Sequence, residues 1–356
     1  MNDVIRSYYR FENCWYYRER VSVLKPFKKE QLSGMQPQFE TLPPMQWSKF
    51  RFGEVWCGDS LQKMRRMRAD SVDLIFTSPP FPLIRKKKYG NRDEKEYIDW
   101  LLPFLTAGSR LLKTTGSLVL DLGCCWQRGK PLRSAYDIRL TLEIIDSLGL
   151  SFAQEFYWYN VSRLPAPAQW VTIEKTRVKD SINKVLWFSK SENPKASNER
   201  VLQPYSPYME EKLSKGIKAE HARPSGHQPS KYFNNRNIGS IPGNLLSVPN
   251  NNSADPYLKY CKENGLKPHP ARFPFQIPEF FIRFLTEPGD KVLDPFAGSC
   301  TTGYAAERLK RRWVCVEANP DYASTAKGHF TRIERADRYI ETTLPRTGVY
   351  ASNFRK

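Results

Sequence analysis

Lys291-Val292-Leu293-Asp294-Pro295-Phe296-Ala297-Gly298-Ser299-Cys300-Thr301-Thr302-Gly303 is the stretch that decides the fold. An apolar run ending in Asp294, a turn of small residues and a helical pattern over Gly303 to Leu309 describe a strand, a tight loop and a helix. Small residues let the backbone approach a ligand at the carboxyl end of the strand, where an open α/β sheet binds its nucleotide. The next strand, Trp313 to Glu317, ends in a carboxylate about 20 residues further on, placed to accept hydrogen bonds from both ribose hydroxyls of an adenosine. A dehydrogenase would carry GxGxxG here, so that a pyrophosphate lies on the helix N-terminus. This loop instead begins with the acidic Asp294 and has fewer glycines, which suits a cofactor with an amino group and a sulfonium. Taken alone, an ordinary strand-to-helix turn is the alternative.

Outward from this loop, strands and helices alternate. Glu54 to Cys57, Val72 to Thr77, Ser117 to Leu122, Phe152 to Tyr159 and Ile182 to Phe188 read as strands. Ser60 to Arg68, Glu96 to Leu112, Tyr136 to Leu148 (closed by Gly149), Ile277 to Leu285 and a segment from Pro320 read as helices. Val72 to Thr77 is continuously apolar apart from Asp73, as buried parallel strands are. The rhythm fails over residues 189–266, where Pro, Asn, Ser, Lys and Arg dominate. The fold class is therefore α/β, a Rossmann-like, doubly wound mixed sheet interrupted by one insertion. Five segments follow: a basic N-terminal arm (1–52), a catalytic half (53–188), the insertion (189–266), a cofactor-binding half (267–340) and a C-terminal tail (341–356).

The second motif, Thr77-Ser78-Pro79-Pro80-Phe81, follows the buried strand directly and so shares the carboxyl end of the sheet with the first. Two prolines fix the backbone and leave carbonyls that no ladder consumes. An exocyclic amine on a nucleobase is a poor nucleophile because its lone pair is conjugated with the ring. Two fixed acceptors that hold its protons favour the pyramidal geometry from which it attacks. Ser78 and Pro79 are the expected acceptors, Pro80 stiffens the turn, and Phe81 is placed to stack on a base flipped out of a duplex. Alone, the tetrapeptide is equally a proline turn; its position after a buried strand gives it weight.

Composition agrees. The 356 residues are 40% hydrophobic, enough for a real core, and the formal net charge is +19, which points to a polyanionic partner. No run approaches the ~20 apolar residues of a membrane helix, and a cytoplasmic location is expected. The seven cysteines contain no CxxC pair and only four histidines accompany them, so neither a disulfide framework nor a metal site is indicated.

With both motifs in hand, the chain resembles the β class of amino-methylating DNA methyltransferases, in its cytosine-N4-specific branch found in type II restriction-modification systems. The likeness runs from about Val55 to about Phe330. It rests on Gly58-Asp59-Ser60-Leu61, Thr77 to Phe81 with Arg85-Lys86-Lys87, Tyr157-Trp158, His269-Pro270-Ala271-Arg272-Phe273-Pro274, and Asp294 to Thr302. The resemblance implies S-adenosyl-L-methionine as cofactor, held by Asp294, Phe296, Gly298 and Glu317. Phe273, Ser299 and Thr301 contribute further contacts, and Asp59 lies near the adenine. It also implies that Ser78, Pro79 and Phe81 form the target-base pocket. Ser78 favours cytosine, where the adenine-N6 enzymes usually carry Asp or Asn. Cys300 stands where the family often has Gly.

An adenine-N6 methylase, an RNA methylase and a basic binding module without catalysis are the rivals. A cytosine-C5 methylase is disfavoured because that chemistry needs a Cys nucleophile beside a Pro, and no Cys lies between 77 and 81. Arg85, Lys86, Lys87 and Lys88 are expected on phosphates flanking the flipped base. Within the insertion, Arg223 and Arg236 are expected to contact DNA, and Arg, Lys, Asn and Gln there are able to read base edges. His221, His227 and His269 read as structural or phosphate contacts. The expected partners are double-stranded DNA and, functionally, a cognate restriction endonuclease, with the protein itself acting as a monomer.

Overall fold

The computed structural model describes residues 7–11, 14–18, 24–26, 46–82, 94–215, 238–251 and 255–330. Within the expected N-terminal arm, Ser7–Phe11 (β1), Cys14–Arg18 (β2) and Leu24–Pro26 (β3) form a small antiparallel sheet in the order β1-β2-β3.

The main sheet is built from Gln46–Lys49 (β4), Gly53–Cys57 (β5), Val72–Thr77 (β6), Leu112–Leu122 (β7), Ser151–Tyr159 (β8), Ile182–Ser189 (β9), Leu245–Ser247 (β10), Lys291–Asp294 (β11) and Arg312–Glu317 (β12). Their order is β10-β8-β9-β7-β6-β11-β12-β5-β4. The central run β7-β6-β11-β12-β5 is parallel, β9 lies antiparallel between β7 and β8, and β4 and β10 form the two edges. This is the mixed, doubly wound sheet expected from the sequence.

Both edges overrun the boundaries expected from the sequence, since β4 falls inside the arm and β10 inside the insertion. Strands of four and three residues are too short to show a period of two. The insertion also holds a 3₁₀ turn at Asn198–Val201 and helices at Pro207–Lys215 (α4) and Pro256–Glu263 (α5). Helices elsewhere are Ser60–Arg66 (α1), Glu94–Leu111 (α2), Tyr136–Leu148 (α3), Gln276–Leu285 (α6), Thr301–Arg308 (α7), Pro320–Thr325 (α8) and Lys327–Phe330 (α9).

Successive residues of the central strands point to opposite faces, and each face has its own core. Leu74, Phe76, Val119, Val292, Trp313 and Cys315 pack with Ile277, Phe280, Phe281 and Leu285 of α6 and Ala305 and Ala306 of α7. Ile75, Leu118, Leu120, Leu293, Val314 and Val316 pack with Met64 of α1, Tyr97, Leu101 and Leu105 of α2, and Tyr136, Leu140 and Ile144 of α3. Val72 joins the second face out of phase with Leu74 because the β6–β7 register shifts between them. Each fully buried Leu, Ile or Phe stabilises by about 1.5–3 kcal/mol, so the three-layer sandwich fixes the loops at its rim. Among the described residues, no helix is long and apolar enough to cross a membrane.

Candidate active site

β11 pairs with β12 on one side and with β6 on the other, so the chain winds in opposite directions from the β6/β11 boundary. The loops leaving β6 and β11 therefore face each other across a topological switch point, where open α/β sheets bind ligands. Asp294 joins them. It is fully buried, and its carboxylate accepts from Thr77 Oγ1 at 2.7 Å, Thr302 Oγ1 at 2.6 Å and the Phe296 N–H at 3.0 Å. Burial pushes its carboxyl up to about 6 against those three donors. The expected cofactor ligand is thus a clamp between the two motifs, both oxygens engaged by the protein.

One residue past Thr77, the Ser78 hydroxyl donates to Asp121 Oδ2 at 2.9 Å. Asp121 reaches it because β7 runs parallel beside β6, with Leu120 level with Thr77. On its far side β9 brings Asn183, whose Nδ2 donates to Asp121 Oδ1 at 3.0 Å, and Arg163 Nη2 donates to Asn183 Oδ1 at 2.7 Å. Asp121 is buried, which raises its carboxyl to about 6; the donors Asn183 and Ser78 and the charge of Arg163 hold it from rising further. Sequence reasoning missed Asp121, Asn183 and Arg163. The one available signal was an acid set in the apolar strand Ser117-Leu118-Val119-Leu120-Asp121-Leu122.

Pro79 is buried and Pro80 and Phe81 partly so. Phe81 lies against Gly123, where an added Cβ would stand 2.4 Å from the ring. Gly123→Ala is therefore expected to push Phe81 aside and lower kcat/KM by roughly tenfold, since small misplacements in a reacting site carry such penalties. Steady-state kinetics check it, and a near-unchanged Tm would locate the effect in the site.

Glu317 ends β12 beside the β11 loop. Its Oε2 accepts from the Gly298 N–H at 2.8 Å and its Oε1 from the Asn319 N–H at 2.9 Å. The Gly58 N–H donates to the Glu317 carbonyl at 2.9 Å, which brings Asp59 alongside. Asp59 caps α1 by accepting from the Leu61 N–H at 2.8 Å, and Ser60 Oγ donates to the Pro295 carbonyl. Gly298 has φ +53 with the His269 ring behind it, 3.1 Å from where a Cβ would sit. Cys300 also adopts the left-handed conformation, φ 66, the geometry for which glycine is the unstrained choice. The Ser299 and Thr301 hydroxyls, both buried, bond each other at 2.9 Å. Phe296 packs on Phe104 and Trp100, with centroids 4.9 and 5.6 Å away, and Phe273 meets Phe76 edge-on at 5.7 Å. Arg85, Lys86, Lys87, Lys88, His221, Arg223, His227 and Arg236 lie outside the described residues.

The profile of the DNA methylase family matches residues 72–328, from β6 through α9. The protein belongs to this family. The methylase is 46% identical over 280 residues to the type II methyltransferase M.PvuII of Proteus hauseri, spanning 78% of this chain and 83% of that protein. It is 28% identical over 296 residues to the type II methyltransferase M.BglII of Bacillus subtilis, spanning 82% and 74%. Its fold superposes on a solved PvuII DNA methyltransferase (cytosine-N4-specific) with a TM-score of 0.65 at 39% identity, over 82% of this chain and 93% of that one.

His329 was also missed by sequence reasoning. This buried ring stacks between Tyr257 and Tyr304 at 4.7 and 5.1 Å. Burial pushes it down to about 4, so it stays neutral beside Ser299 of the methylase's β11 loop.

Proposed function

We propose that the protein transfers a methyl group from S-adenosyl-L-methionine to N4 of a cytosine flipped from double-stranded DNA at a short recognition sequence. It does so as a monomer and as the modification partner of a restriction endonuclease, with residues 189–266 choosing the sequence. The observation that carries this reading is the Ser78–Asp121 pair set one residue from the Thr77–Asp294 clamp.

Enzymes of this family take their methyl group from S-adenosylmethionine. The donor set suits it: the Glu317 carboxylate for the ribose hydroxyls, Asp59 on the neighbouring strand end for the adenine side, and the Gly298 backbone, which lies close on the His269 ring because no Cβ intervenes. When bound, the cofactor supplies an electrophilic methyl group on a cationic sulfur. Ser78 has given its own hydrogen to Asp121, so its Oγ lone pairs accept an N–H of the target amine and hold that nitrogen pyramidal. As the nitrogen becomes cationic, its proton passes to Ser78 Oγ while the serine proton passes to Asp121 Oδ2. A carboxylate of pKa about 6 is ionised at neutral pH yet able to take that proton. The Pro79 carbonyl is the second acceptor for the amine, Pro80 stiffens the turn, and Phe81 stacks on the flipped ring.

The decisive experiment incubates the protein with unmethylated plasmid and labelled S-adenosylmethionine, then identifies the modified nucleoside by mass spectrometry. N4-methylcytosine is expected; N6-methyladenine would transfer the same site to another base, and no methylated base would refute the reading.

Burial also raises Glu317 to about 7, opposed by the Asn319 and Gly298 N–H donors. Only its ionised form accepts from both ribose hydroxyls. The cofactor Kd is therefore expected to rise as pH falls below 7, approaching about tenfold per pH unit, and to flatten in Glu317→Gln. Calorimetric titration between pH 5.5 and 8.5 measures it.

A further inference from the structure

Between β8 and β9 the chain leaves the sheet over residues 160–181, at the rim that carries Ser78. This lobe is fastened to itself and to the active site. Arg163 Nη1 donates to the Asp180 carbonyl at 3.4 Å and Lys179 Nζ to the Arg163 carbonyl at 3.3 Å, while the Asp180 N–H donates to the Ala166 carbonyl at 3.2 Å. Through Asn183, the other arm of the Arg163 guanidinium reaches Asp121 and so Ser78.

Among polar and charged residues, the lobe also exposes large apolar ones. Leu164, adjacent to Arg163, is 80% exposed, and Val178, adjacent to Lys179, is 85% exposed. Single exposed apolar residues are ordinary, but these two stand on segments joined by the Lys179–Arg163 bond, in a lobe tied through Asn183 and Asp121 to Ser78. The lobe carries four basic residues (Arg163, Lys175, Arg177, Lys179) against two acidic ones (Glu174, Asp180). Arg177 Nη1 donates to the Pro131 carbonyl at 2.8 Å, holding beside it a turn that exposes Arg128 and Lys130. An apolar tip inside a basic frame matches duplex DNA, whose stacked base faces lie between two rows of phosphates.

We propose that Leu164 is the wedge of this enzyme: it enters the duplex where the target base leaves, fills the vacated space and keeps the flipped state from collapsing, with Arg128 and Lys130 on flanking phosphates. This rests on the reading of the protein as a base-flipping DNA methylase. Unstacking is the energetic burden that the wedge shares, so a base already unpaired needs it less.

The test first maps the site by sequencing methylated plasmid, then compares two duplexes, one fully paired and one with the target cytosine opposite a mismatched base. Leu164→Ala is expected to methylate the paired duplex roughly tenfold more slowly and the mismatched one within about twofold of the parent, with unchanged Tm. Leu164→Met should retain most of the paired rate. Parent-like rates of Leu164→Ala on the paired duplex, or equal losses on both, would overturn the wedge. A parent enzyme that methylates neither duplex would refute the proposed function itself, and the wedge with it.

Discussion

Asp121→Asn is expected to lower kcat by roughly 100- to 1000-fold while leaving DNA and cofactor affinities near those of the parent, the size of effect that a positioned proton acceptor supplies. Asn keeps the shape of Asp and a hydrogen bond with Ser78 but cannot take up the proton that the amine must lose. The pH profile separates this from a structural role. Burial raises Asp121 to about 6, and the active form is the ionised one. In the parent, kcat therefore falls as pH drops through about 6, approaching about tenfold per unit, whereas Asp121→Asn keeps a low, flat profile over that limb. Ser78→Ala removes the acceptor itself and should lose a similar factor. Single-turnover methylation at pH 5 to 8 measures all three; a parent-like limb in Asp121→Asn would remove Asp121 from the chemistry.

Stability follows the opposite sign. Asp121 and Asp294 have native carboxyls raised from 3.8 to about 6, and Glu317 from 4.5 to about 7. Between their unfolded and native values the folded chain holds protons that the unfolded chain has released. The stability they contribute is full below about pH 4 and is lost as pH rises through 6 and 7. The site is thus least stabilised where its carboxylates are ionised, the state that the proposed chemistry needs.

The sequence made the fold legible where residues act locally. Lys291–Asp294, Val72–Thr77 and Tyr136–Leu148 match their elements residue for residue, because an apolar run bounded by Pro or Gly carries its own boundaries. Placing both loops at carboxyl ends of parallel strands followed from the α/β rhythm alone. Two things escaped. Edge strands β4 and β10 draw their pairing from β5 and β8 and have too few residues to announce themselves. The partners of Ser78 escaped because Asp121 lies 43 residues from Ser78, and Asn183 a further 62 from Asp121, so only strand order brings them together. Motifs report a group that must sit on one turn; they do not report what stands behind it.

Asp294→Ala shows why that distinction matters, because a residue expected at the cofactor is held inside the protein. The substitution leaves the Thr77 and Thr302 hydroxyls and the Phe296 N–H without their acceptor at a fully buried position. Each orphaned buried donor is worth about 1–3 kcal/mol, and after relaxation the total loss should be about 3–5 kcal/mol. Because the native carboxyl is raised, the parent's advantage over Asp294→Ala should be wider at pH 5 than at pH 8. Asp294→Asn resembles the protonated acid: its oxygen still accepts, and its amide donates to a hydroxyl that can rotate. It should lose far less than Ala, with its deficit smallest at pH 8. Thermal and urea unfolding of the three proteins at both pH values decides the matter. If Asn and Ala fall together, the hydrogen-bonding shape that Asn shares with Asp is not what holds the loops and the clamp reading fails; if Asn holds, the carboxylate's work is to keep the base-binding and cofactor loops in register.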